Sequence, residues 1–185
     1  MLSLRPPPDV APLLVLAVGN PSRGDDALGP LAAERLAALA LPGVEVLTDF
    51  QLQVEHALDL LGRRRVVFVD AAASGAAPFE LRPLAPAAQV SRAAPGLPRS
   101  AASFSSHSLS PAAVLDTYRR LTGGEPPPSM LLAIRGHDFA LGAPLSTAAA
   151  ANLYSALAAL TAVLRQAREE RPQDGPARAG AQAPA

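Results

Sequence analysis

The chain has 185 residues with 16 basic and 16 acidic side chains, every basic one an arginine, and it has no cysteine. That length points to one domain with a substantial core, and zero net charge leaves no electrostatic footprint for nucleic acid or an anionic membrane. The missing cysteines exclude disulfides, thiolate nucleophiles and thiolate metal centres, and the missing lysines exclude Schiff bases and a P-loop, so chemistry falls to carboxylates, hydroxyls, arginine and His56, His107 and His137.

Residues 1–12 have a short apolar start broken by three prolines, no apolar stretch of the secretory type, and are expected to form an N-terminal extension. Leu13–Val18 is a continuous apolar run ending in Gly19-Asn20-Pro21, a strand followed by its breaker. Within 27–39, Leu28, Leu31, Ala32, Leu36 and Leu39 recur at helical spacing until Pro42-Gly43 stops the pattern. Residues 44–47 predict a second strand, and 53–61 a short helix closed by Gly62. The arginines at 63–65 read as a solvated turn before the strongly β-branched run 66–69.

Phe79–Leu84 is a weaker strand candidate, and 86–106, rich in Pro, Ala and Ser, reads as a long loop of the kind that is often functional. Ser110 and Pro111 supply the N-cap and first position of a helix to about Leu121. Breakers at 123–128 precede a last strand at 130–134, and Ser146 caps a final helix to about Arg168. The apolar stretch 148–164 is interrupted by Asn152, Tyr154 and Ser155 and reads as a buried helix, not a membrane span. Residues 169–185 carry no periodicity and are expected to be disordered.

Strands alternating with helices predict an α/β domain over 13–168, a three-layer α/β/α arrangement around a mostly parallel twisted sheet of about five strands. A soluble, cytoplasmic protein is expected. In such sheets function collects beyond the carboxyl ends of the strands. Asp25 and Asp26 follow the first strand, Asp49 ends the second, Asp70 the third, and Arg135-Gly136-His137-Asp138 the last. His107 arrives in a serine-rich run. Nucleotide binding fails, because acids occupy the positions where a P-loop carries Lys and Ser/Thr, and the dinucleotide glycine pattern is absent. A phospho-receiver pocket fails for want of its lysine. Two carboxylates and an imidazole suit a divalent cation; two close carboxylates sharing a proton could instead activate water. The residues alone leave both open.

The stretch LVLAVGNPSRGDDALG at 14–29, with VFVDA at 67–71 and SHSL at 106–109, resembles the hydrogenase maturation endopeptidases. That family removes a C-terminal extension from the large subunit of [NiFe] hydrogenases once nickel is in place. The resemblance covers about residues 13–165. It implies an aspartic-type endopeptidase in which Asp26, Asp70 and His107 contact nickel and Asp26 and Asp70 are catalytic. The nickel is contributed by the substrate and not tightly held by the enzyme, and the partner is the large-subunit precursor, with no nucleic acid and no membrane. Gly19, Asn20, Asp25, Asp49 and Gln51 are implied on the substrate side, Asp25 as loop support and not as a ligand. Gly24 and Gly29 join Gly19 in permitting tight turns. The run DFQLQVEH at 49–56 resembles the subgroup serving NAD-linked bidirectional hydrogenases, with His56 on a helix surface. The alternatives are a metal-dependent hydrolase holding its own divalent ion and a non-enzymatic nickel-site chaperone.

Overall fold

The computed structural model describes residues 6–86 and 109–170. Its strands are Leu13–Val18 (β1), Val44–Asp49 (β2), Arg65–Ala72 (β3), Phe79–Leu84 (β4) and Ser129–Arg135 (β5). They form one sheet in the order β2-β1-β3-β5-β4, with β4 alone antiparallel. Every residue of β1 is buried, which is why it reads as an unbroken apolar run: a central parallel strand is covered on both faces.

One face carries the helices Leu28–Ala37 (α1) and Thr147–Glu169 (α4). Their Ala32, Leu36, Leu153 and Leu160 close on Leu13, Val15, Val67 and Leu132. The other face carries His56–Asp59 (α2) and Pro111–Thr122 (α3), whose Ala57, Val114 and Leu115 meet Leu14, Leu16, Val66 and Phe68. This is the expected three-layer α/β/α domain with a mostly parallel sheet. By length and composition α4 could cross a membrane, but its stripe Ala149, Leu153, Ala156, Leu160 and Leu164 is buried on the sheet, the core helix read from the sequence.

Three local expectations change. The third strand does not stop at 69: Asp70, Ala71 and Ala72 stay in the sheet, paired with Ala133, Ile134 and Arg135. The second helix shrinks to the single turn α2, preceded by a turn at Val54 and Glu55, where the Gln53 amide donates to His56 Nδ1 at 2.9 Å. The arginines at 63–65 are pinned, not solvated. Arg63, its side chain only 6% exposed, pairs with Glu45 at 2.6 Å and donates to the carbonyls of Asp59 and Ala11. Arg64 donates to the Ala167 carbonyl, and Arg65 reaches Glu170 at 2.8 Å. The backbone amides of Arg64 and Arg65 both donate to the Pro12 carbonyl, which fastens the end of the N-terminal extension to the domain. The loop expected at 86–106 and the tail expected from 169 fall almost wholly outside the described residues.

The topology also opens a crevice. From β1 the chain leaves through α1 toward β2, whereas from β3 it leaves toward the opposite edge. Adjacent strands whose continuations diverge part at their carboxyl ends, and this is where open α/β sheets bind ligands.

Candidate active site

Beyond the carboxyl ends of β1 and β3 lies a cleft of about 550 Å3. The loop after β1 contributes Gly19, Asn20, Arg23 and Asp26; β3 and its continuation contribute Asp70, Ala71 and Ala73. Phe50, Gln51 and Leu52 close the β2 side, and Leu109 and Phe139 complete the wall.

Asp26 sits in a 3-10 turn, Gly24–Ala27, that leads directly into α1. Its Oδ2 accepts from the Asn20 amide at 3.0 Å, while Asn20 Oδ1 accepts from the Ser22 amide at 2.9 Å, so the loop is folded around its own side chains. Gly19 is needed for this closure. It has φ of 147°, and a Cβ there would lie 2.0 Å from the Asp26 carbonyl oxygen. At Gly29 a Cβ would lie 2.1 Å from the Val18 carbonyl, so this glycine lets α1 start against β1.

Asp70 reaches the cleft from the end of β3, its Oδ1 accepting from the Ala71 amide at 2.8 Å. Burial pushes its carboxyl up to about 7, and the negative charge of Asp26 adds to the rise against that hydrogen bond. A carboxyl poised near neutrality beside a second carboxylate can hold or release a proton under working conditions, as general acid–base chemistry requires.

Asp25 is brought to the site but does not face it. It is completely buried and does not line the cleft. Its Oδ2 accepts from the amides of His137 (2.6 Å) and Asp138 (3.0 Å) and from the Ser146 hydroxyl (2.8 Å), and its Oδ1 from the Ser146 amide (2.7 Å). Burial alone would raise its pKa, yet these hydrogen bonds together hold it below the ordinary carboxylate range. With both oxygens engaged inside the protein, Asp25 is the loop support that the resemblance implied and takes no place on the substrate side of the cleft.

Asp49 departs in the same way. Its Oδ1 accepts from the Phe50 amide at 2.6 Å, and its Oδ2 accepts from Gln53 Nε2 at 3.2 Å and faces His56 Nε2 at 3.5 Å. It therefore braces the β2–α2 loop, and its neighbour Gln51 lines the cleft. His56 completes that brace. Among the described residues no three His, Cys, Asp or Glu side chains converge as a metal site. Asp26 and Asp70 are two of the three expected nickel contacts; His107 lies outside the described residues.

Sequence reasoning did not single out Arg23, Phe50, Leu109 or Phe139 as cleft residues. Arg23 stood within the quoted motif, and its charge was the available signal; the apolar three look like ordinary core residues until the topology places them.

No family model matches the sequence, and no curated protein does. Solved structures do match in fold. The [NiFe] hydrogenase maturation protease HycI of Thermococcus kodakarensis is 23% identical with a TM-score of 0.59, covering 84% of this chain and 93% of that one. The hydrogenase maturating endopeptidase HybD of Escherichia coli is 24% identical with a TM-score of 0.60, covering 83% and 92%. A further endopeptidase from Escherichia coli, solved in solution, is 25% identical with a TM-score of 0.62 over 83% and 92%. The chain has the fold of the hydrogenase maturation proteases.

Proposed function

We propose that this protein is an endopeptidase that removes the C-terminal extension from the large-subunit precursor of a [NiFe] hydrogenase after nickel insertion, acting in the cytoplasm. The observation that carries the reading is the meeting of Asp26 and Asp70 in one cleft at the carboxyl edge of a sheet with this fold. The opening motif at 14–29, the similarity to maturation proteases and the raised Asp70 carboxyl support it.

Nickel is part of the substrate in this reading. A site without cysteine offers carboxylate oxygens and, from His107, an imidazole, so it can touch a metal held by another protein's ligands without competing for it. The scissile bond comes beside Asp26 and Asp70, which activate water and supply the proton for the leaving amine. The loop from Asp49 to His56, with Gln51 on the cleft, supports a hydrogenase of the NAD-linked bidirectional kind as the partner.

The test is to incubate the protein with nickel-loaded and nickel-free precursor and weigh the intact products. Loss of a C-terminal peptide from the loaded precursor alone is expected. Binding without a change in mass would instead mean a chaperone, and cleavage dependent on a tightly bound metal of the enzyme's own would mean a metallohydrolase.

A further inference from the structure

The cleft is bipolar. Arg23 is the one cation among the described residues that line it, alongside the two carboxylates Asp26 and Asp70. It forms no ion pair with either of them or with any other acid among the described residues. Among the described residues its one side-chain hydrogen bond is a long one, NH2 to the Phe139 carbonyl at 3.4 Å, and no other described group engages the rest of the guanidinium fork. Its backbone, by contrast, is fixed to the group it must act beside. The Asp26 amide donates to the Arg23 carbonyl at 3.0 Å, the Arg23 amide donates to the Asn20 carbonyl at 3.0 Å, and the Gly24 amide donates to Ala143 at 3.1 Å. Cation and carboxylate thus ride on one rigid turn.

Peptide hydrolysis gives such a cation a task. When water attacks the carbonyl carbon, the C=O π pair moves onto oxygen and one water proton passes to a carboxylate. Collapse of the adduct restores the C=O bond, breaks C–N and sends a proton to the departing nitrogen. Between those events the oxygen is negative, and whichever of Asp26 and Asp70 remains ionised repels it. A donor is required opposite them. Resting on the protease reading, we propose that Arg23 is a catalytic residue of the cleft, whose guanidinium receives the scissile carbonyl oxygen as its charge develops.

Because the developing charge exists only in the transition state, the signature belongs in kcat and not in KM. With nickel-loaded precursor, Arg23→Gln is expected to lower kcat by about 10- to 100-fold with KM within threefold of wild type. This falls short of the ~100- to 1000-fold of a buried oxyanion donor because Arg23 is exposed. Arg23→Lys is expected to keep part of the rate, and added guanidinium to restore part of the activity of Arg23→Ala. The thermal midpoints of all three should stay at the wild-type value, since only one long hydrogen bond is lost.

Arg23→Gln cleaving within threefold of wild type would overturn the assignment, as would a loss confined to KM, which would make Arg23 a docking residue. A wild-type protein that leaves loaded precursor intact strikes at the protease reading itself, so the two failures are separable.

Discussion

Asp25 and Asp26 are chemically identical neighbours with opposite tasks. Asp25 is sealed inside the protein with its oxygens on three amides and a hydroxyl; Asp26 accepts one amide and faces the cleft. Sequence spacing places both in one turn but not which way each points, since a 3-10 turn sends successive side chains about 120° apart. The same limit applies at Asp49, whose strand-end position is legible while its engagement with Phe50, Gln53 and His56 is not. Asp70 was legible because a carboxylate after four apolar strand residues needs a reason to be there. At this scale we expect Asp26→Asn, Asp70→Asn and His107→Ala each to lower cleavage of loaded precursor at least 100-fold, the low end of what positioned acid–base groups contribute. Intact-mass time courses check it, and His107→Ala cleaving at the wild-type rate would remove that residue from the site.

Between elements, the chief tie is the one joining the loop after β1 to the loop after β5. Besides the Asp25 carboxylate, the Asp25 amide donates to Asp138 at 2.7 Å and the Gly142 amide to Ser22 at 2.7 Å. Phe139 on one loop and Asp26 on the other thereby share the cleft. Asp25→Ala removes the acceptor of three amides and a hydroxyl, at ~1–3 kcal/mol for each group that water cannot reach. A net loss on the order of 3–5 kcal/mol is expected by urea unfolding, and a loss below ~1 kcal/mol would show that the tie is dispensable. A second tie sits at the opposite edge, where Arg63 joins β2, the end of α2 and the N-terminal segment. Arg63→Met leaves Glu45 and two carbonyls without their partner, and ~2–4 kcal/mol of destabilisation is expected, reduced from a fully buried pair because Glu45 is 40% exposed. Three arginines in a row could not announce this, since charge runs before strands are commonly solvated. Strand positions, by contrast, were legible to within a few residues. Their ends were not, because Asp70-Ala71-Ala72 has poor strand propensity and is held by pairing with β5.

For the whole molecule, the two perturbed aspartates of the site pull stability in opposite directions with pH. The Asp25 carboxyl is held low in the folded state, so its contribution is present above pH ~4 and is lost as pH falls through the folded value. The Asp70 carboxyl is raised to about 7, so between pH ~4 and 7 the folded protein keeps a proton that the unfolded chain has released. Stability therefore declines as pH climbs through that window. The shift caps the effect near ~4 kcal/mol, and because the cleft admits water we expect ~1–2 kcal/mol. Urea unfolding at constant ionic strength should find the wild type more stable at pH 5 than at pH 8 by that amount. Asp70→Asn keeps an acceptor for the Ala71 amide, cannot ionise, and should show a much flatter profile; equal slopes for the two proteins would reject the assignment. A cleft that holds Asp70 against its preference for water is less stable at neutral pH than the same fold without the charge, so the variant expected to gain stability at pH 8 is the one expected to lose cleavage under the proposed function.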